Sequence, residues 1–318
     1  MESKPEPKIS ILTFNILAPC YKEIQEGRRT ESEFPKIWKE RMNKVIKFAT
    51  ESKPDIICLQ EVWFEEKCLS IIEKNSKKYK MLKFKRTYKK QDGIMILVNS
   101  ETLVIKKSWE LPFNDAGNRV ALGCLVSLKE NEKIQFIVVT THLTFPHHEF
   151  DVKMRLEQIK KTINWMEKLD SKEIPLILTG DFNGFEDNVF EYVFSQNFLC
   201  SFKEVNNRFQ IVTHFNHLSQ ELPVDFIFYR NYSELKEKEL KENELKENEL
   251  KEKELKENEL KENESKEKES KENQKIKLIP IKSNVLPENI NDNKFPTQKD
   301  YQLSDHRPIK SFFKFDFF

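Results

Sequence analysis

The chain lacks a membrane signature. No run in its 318 residues approaches the roughly 20 apolar residues a spanning helix requires. Its opening stretch, Met-Glu-Ser-Lys-Pro-Glu-Pro-Lys, holds no apolar signal region. A disulfide or zinc framework is missing too. The five cysteines, Cys20, Cys58, Cys68, Cys124 and Cys200, are odd in number and irregular in spacing, and no two form a Cys-x-x-Cys. Reduced thiols are the expectation. These absences predict a soluble cytoplasmic or nuclear protein. Net charge is missing as well: 54 basic and 53 acidic side chains leave +1, so the total singles out no partner.

The balance is uneven along the chain. Residues 234–273 carry 11 lysines and 16 glutamates, which leaves the remainder at about +6. That surplus suits a polyanionic or phosphate-bearing substrate. The hydrophobic content of 38% is diluted by the same stretch, and 25 phenylalanines supply core material elsewhere. Residues 235–273 repeat Leu-Lys-Glu-(Lys/Asn)-Glu, with serine replacing leucine at Ser265 and Ser270. A step of five turns each leucine by about 140° around a helix, so the leucines spiral and make no coiled-coil stripe. The segment reads as a solvated lone helix or an unstructured stretch. We expect a surface insert at 234–274 within one domain spanning 8–318, preceded by a disordered tail at 1–7. The insert is a solvated spacer or a partner-binding segment.

Elsewhere strand-like and helix-like segments alternate. Strands are expected at 9–14, 56–59, 80–84, 93–98, 120–128, 134–140, 175–178, 224–229, 277–281 and 308–315. Helices are expected at 34–52, 151–169 and 188–195; in the first, Trp38, Met42, Val45, Ile46 and Ala49 share a face. Many strands with a few long helices predict two sheets packed face to face with helices outside.

Polar residues stand at the ends of the apolar runs. They are Asn15, Glu61, His142, Asp181 with Asn183, Asp225, and Asp305 with His306. Cleaving a phosphate ester needs positioned water, charge neutralisation at phosphoryl oxygens and help for the leaving group. Magnesium takes oxygen ligands, mostly one or two carboxylates with several waters retained. Glu61 is the leading ligand candidate, against the plainer reading of a solvated carboxylate. Gly180 lets the chain bend so that Asp181 and Asn183 enter one cavity; an Asx turn is the plainer reading. Asp225, flanked by Val224, Phe226, Ile227 and Phe228, is expected to be buried and to need a partner such as an imidazole. His147, His148, His214 and His217 lack a third ligand at zinc spacing and read as loop histidines. Arg119, Arg155 and Lys153 are candidate phosphate contacts, but solvated surface charge is the plainer reading and the expected one for each.

Taken together the motifs resemble the endonuclease/exonuclease/phosphatase superfamily. They are Phe14-Asn15, Gln60-Glu61, Thr141-His142, Gly180-Asp181-Phe182-Asn183, Asp225-Phe226 and Ser304-Asp305-His306. The resemblance covers nearly all of the chain outside the repeat. It is nearest to the carbon-catabolite-repressor and nocturnin deadenylase branch, through Phe14-Asn-Ile-Leu-Ala18, Trp38 and Arg41, Asp55 to Val62, and Asn118-Arg-Val-Ala-Leu122. It implies an α/β fold of the DNase I type, a four-layer sandwich of two mixed sheets between helices. The activity implied is a Mg2+-dependent phosphodiesterase (Mn2+ a possible substitute), most like a 3′-5′ exoribonuclease acting on RNA. Sphingomyelinase-like, nucleotide phosphatase and inactive scaffold proteins are the alternatives. Glu61 would bind the metal, with Asn15 and Asp305 completing its surroundings. Asp181 would orient or deprotonate water, and Asn183 and His142 would hold phosphoryl oxygens. His306, paired with Asp225, would stabilise charge or serve as base. Two loops depart from the deadenylases, with Thr144-Phe-Pro-His147 in place of a polar stretch and Glu186 near a usual proline. The Trp-Cys-Asp-Arg motif of inositide phosphatases is missing, which argues against inositide substrates.

Overall fold

Short apolar runs, most of them apolar on both faces, build two central sheets. The computed structural model describes residues 6–25, 29–169, 174–210, 212–231, 276–290, 294–297 and 301–317. The lysine–glutamate repeat and the first five residues lie outside these.

The first sheet runs in the order β15 (Ile276–Val285), β16 (Ile309–Phe317), β1 (Lys8–Asn15), β4 (Ile56–Trp63), β6 (Asp92–Asn99), β5 (Tyr79–Lys85). The second runs β11 (Leu199–Cys200), β14 (Asp225–Arg230), β10 (Leu176–Asp181), β9 (Gln135–His142), β8 (Val120–Leu128), β7 (Leu103–Pro112). Two small hairpins pair β2 (Glu23–Gln25) with β3 (Arg29–Thr30) and β12 (His214–Phe215) with β13 (Glu221–Leu222). The helices are α1 (Pro35–Glu51), α2 (Glu66–Asn75), α3 (Glu149–Lys168), α4 (Asn188–Ser195) and α5 (Ser201–Asn206).

Successive side chains of a strand point to opposite faces, and this sorts the core into layers. Leu12, Phe14, Ile57, Leu59, Met95 and Leu97 face outward from the first sheet. They pack on Trp38, Met42, Val45, Ile46 and Ala49 of α1 and on Cys68 and Ile72 of α2. Their neighbours Ile9, Ile11, Ile56, Cys58, Ile94 and Ile96 face inward to the second sheet, whose far side receives Ile159, Ile163 and Met166 of α3. Burying each such side chain contributes about 1.5–3 kcal/mol. Helix, sheet, sheet, helix is the expected four-layer α/β sandwich. No helix among the described residues is long and apolar enough to cross a membrane. All five cysteines are free, and burial pushes the Cys58 thiol up to about 12.

The topology explains where the polar motifs meet. β1 is parallel to β4, with Asn15 opposite Gln60. β9 is parallel to β10, with His142 opposite Asp181. These four strands therefore end together. β14 runs antiparallel to β10 and starts where β10 stops, with Asp225 opposite Asp181. β16 runs antiparallel to β1, so the segment leading into it, with Asp305 and His306, arrives at the same edge.

One bond pair joins described residues on either side of the repeat. Asn231 Oδ1 accepts from the Leu278 N–H at 2.8 Å, and Asn231 Nδ2 donates to the Leu278 carbonyl at 2.9 Å. β14 and β15 belong to different sheets, and this side chain ties the end of one to the start of the other.

Candidate active site

Asn15, the last residue of β1, is the hinge of the cluster. Its Nδ2 donates to Asp181 Oδ2 at 2.9 Å and to Glu61 Oε1 at 3.3 Å, and its Oδ1 accepts from the Leu17 N–H at 3.1 Å. Ser304 Oγ donates to the Asn15 carbonyl at 2.7 Å, which draws the Ser304-Asp305-His306 segment against β1. Arg41 of α1 fixes the backbone around them. Its guanidinium donates to the carbonyls of Ile16, Leu17 and Leu303 and pairs with the buried Glu31.

β4 continues past Glu61 to Trp63, further than the expected strand end at residue 59. Its pairing with β6 is irregular between Leu59 and Val62, and Glu61 sits there with φ of 54°. Such a bulge re-aims a side chain. The Glu61 carboxylate meets Asn15 and accepts from the Ala18 N–H at 3.1 Å. Burial raises its pKa to about 7, helped by the nearby carboxylates of Asp305 and Asp92. Mutual repulsion of this kind is what a cation would relieve, and oxygen donors suit a hard divalent ion. Glu61, Asn15 and the partly exposed Asp305 thus fit a metal. Two further groups bring possible ligand atoms together: Asp181, Asp225 and His306, and His214, Asp305 and His306.

Asp181 is fully surrounded. Its Oδ1 accepts from the Asn183 N–H at 2.9 Å. Its Oδ2, besides Asn15, lies 3.3 Å from His142 Nε2 and 3.6 Å from His306 Nε2. Asn183, at φ 51°, donates from Nδ2 to the Leu143 carbonyl at 2.8 Å, which places its amide beside His142. His306 Nδ1 and Asp225 Oδ2 are 2.8 Å apart. Burial pulls His306 down, but the carboxylates of Asp225 and Asp181 outweigh it and hold the ring protonated, with a pKa of about 10. His142 is driven the other way, by burial and then by the positive charge of Arg119, and stays neutral.

The model of the endonuclease/exonuclease/phosphatase family matches residues 12–241. The chain belongs to this family. A calcium-binding protein of Arabidopsis thaliana, itself uncharacterized, is 30% identical over 74% of this chain and 53% of its own length. Nocturnin of Drosophila melanogaster is 26% identical over 55% of this chain and 28% of its own length. The chain thus spans about half or less of these relatives. The human Nocturnin catalytic domain, solved with bound sulfate, superposes with a TM-score of 0.62 at 17% identity, covering 98% of this chain and 94% of that one. D. rerio TDP2 complexed with a single-strand DNA product gives 0.63 at 12%, covering 96% and 99%. The fold is the DNase I-like fold of this family.

Within the family fold the structure corrects two sequence expectations. His214 is no loop histidine: it lies in β12, buried, with its ring stacked on His306 at 3.9 Å and its Nε2 3.5 Å from Asp305 Oδ2. His147, His148 and His217 are exposed, as expected. Arg119 and Arg155 are not solvated surface charges. Arg155 is buried, and its guanidinium grips the Asn183 carbonyl and Asp187, so it holds the loop after Asn183. Arg119 has Nε and one terminal nitrogen buried without partners, near enough to Glu61 and Asp181 to feel both charges.

A second polar network went unread in the sequence. Arg86 pairs with the buried Asp92 at 3.2 Å, and Tyr21 Oη donates to Asp92 at 2.6 Å. Arg86 also donates to the carbonyls of Gly117, at 2.8 Å, and Asn118, at 3.4 Å, which positions Arg119. The signal available was Asp92 opening an apolar strand, where an acid invites a partner.

Proposed function

We propose that this chain is a Mg2+-dependent phosphodiesterase that acts on RNA from the 3′ end. The observation that carries the reading is the Asp181 carboxylate, held by Asn15 and the Asn183 N–H while facing His142 and His306, with Glu61 on the other bond of Asn15.

Glu61 and Asp305, with Asn15, would hold Mg2+ or, in its place, Mn2+. The ion when bound would supply charge neutralisation at the phosphoryl oxygens. Asp181 orients the attacking water and accepts its proton, since its bonds fix its direction. His306 enters protonated and supports negative charge as it grows on the phosphoryl group. Asp225 keeps that proton in place. His142, neutral, and Asn183 offer hydrogen bonds to phosphoryl oxygens. Arg119, with unpartnered nitrogens beside this cluster, is a phosphate contact, while Arg155 positions the loop that carries Asn183.

The test is a substrate panel with Mg2+, with and without EDTA: labelled oligo(A), oligo(dA), sphingomyelin, NADP(H) and a small aryl diester. Shortening of oligo(A) from its 3′ end, abolished by EDTA, is the expected result. Turnover confined to sphingomyelin or to the nucleotide would move the protein to another branch of the family. No turnover of any ester would leave a scaffold.

A further inference from the structure

The β5–β6 hairpin, with residues 86–91 at its tip, contributes no side chain to the catalytic cluster. Resting on the RNA reading of the site, we propose that this tip is a platform for single-stranded RNA beyond the reaction centre, a base stacking on Tyr88 and phosphates meeting Lys89 and Lys90.

Three independent observations support it. The first is charge. Residues 75–91 contain seven lysines and Arg86 without one aspartate or glutamate. Lys83, Lys85, Lys89 and Lys90 are exposed, and none has an acidic partner among the described residues. The second is Tyr88. At 86% it is the most exposed of the large hydrophobic residues, and it sits at φ 62°. A bulky side chain is disfavoured there, and glycine or asparagine would turn the chain at lower cost. The third is anchoring. On one leg Arg86 holds the carbonyls of Gly117 and Asn118, and Thr87 Oγ1 donates to Asn118 Oδ1 at 3.1 Å, next to Arg119. On the other leg the Gln91 carbonyl accepts from the Phe64 N–H at 2.8 Å and Gln91 Oε1 accepts from Trp63 Nε1 at 3.2 Å, just past Glu61. The tip therefore projects from two legs tied to the strand and loop that carry candidate site residues. Such a preformed surface loses little entropy on binding.

An open aromatic face with flanking cations suits unpaired bases on a phosphate backbone. A duplex buries its base faces in its own stack and cannot use the ring in this way. An anionic membrane is the less favoured occupant, because Thr87, Lys89, Lys90 and Gln91 supply no aliphatic side chain to insert beside the ring.

The test compares oligo(A) of about 12 nucleotides, a length within the usual site sizes, with bis(p-nitrophenyl) phosphate, which carries no base and no further phosphate for the tip to hold. In Tyr88→Ala the ratio of kcat/KM for the oligonucleotide to that for the small diester falls roughly ten-fold, and Tyr88→Trp restores it. In Lys89→Ala/Lys90→Ala the slope of log KM against log salt flattens by about 1 to 1.5. An unchanged ratio in Tyr88→Ala overturns the proposal, as does an equal loss on both substrates. So does a loss seen only on sphingomyelin vesicles containing phosphatidylserine. If the wild-type protein hydrolyses neither diester, the reading of the reaction fails separately. Fluorescence anisotropy of labelled oligo(A), in EDTA, then still decides: weaker binding by Tyr88→Ala supports the platform, and equal binding removes it.

Discussion

Replacing Glu61 with Gln removes the charge and keeps one of the two acceptor oxygens that serve Asn15 Nδ2 and the Ala18 N–H, the other becoming a donor. We expect hydrolysis to fall by roughly 10³-fold while the thermal midpoint changes little, since relief of a buried carboxylate crowded by Asp305 and Asp92 offsets the lost acceptor. Near-normal turnover would remove Glu61 from the site. Asp225→Asn probes the other half. It deletes the charge that holds the proton on His306, so the imidazole pKa drops from about 10 as burial takes over. The charged ring is then present only at lower pH. The expected pH–rate profile loses activity as pH rises through neutrality, where the wild-type protein does not. A profile of unchanged shape would count against a protonated His306. Most of these residues were legible in the sequence, because each stands at an end of an apolar run, Glu61 after one and Asp225 and His306 before one. His214 was not, since nothing near it in sequence signals that His306, 92 positions later, lies beneath its ring.

At the scale of the element, the turn at the end of β10 sets the register of Asp181 and Asn183. Gly180 has φ of +140°, and a Cβ there would come within 2.0 Å of the Thr141 carbonyl oxygen on β9. Gly180→Ala should push the two strands apart, cost about 1–3 kcal/mol in urea denaturation and lower turnover through displacement of Asp181. Full stability would show that the strands can yield. Strands with uninterrupted apolar runs were readable from the sequence, and β8 and α4 were expected at their observed bounds. α2, β7 and α5 were not. β7 is a sheet edge carrying Lys106, Lys107, Ser108 and Glu110, so its period is masked by charge. α2 commits only Cys68 and Ile72 to full burial, too few to mark a helical stripe. The bulge at Glu61 has no local signature either, because it arises from pairing with β6.

For the molecule as a whole, the alternation of strands and helices already implied four layers. What composition could not supply was the way the sheets meet. Parallel pairs β1–β4 and β9–β10 end at one edge, and that depends on strand order alone. The repeat lies outside the described residues. Deleting residues 235–273 should leave the hydrolysis rate and the midpoint of thermal unfolding within error of the full chain. A protein that fails to fold without them would make the repeat structural.

The Asn231–Leu278 pair makes that deletion reasonable, and it has a wider consequence. A single amide acts as a drawstring, so departure and return of the polypeptide share one doorway. The span written between those two residues should be able to lengthen, shrink or be exchanged for a foreign module with adjoining termini, and the edge where the candidate site residues meet should not register the difference.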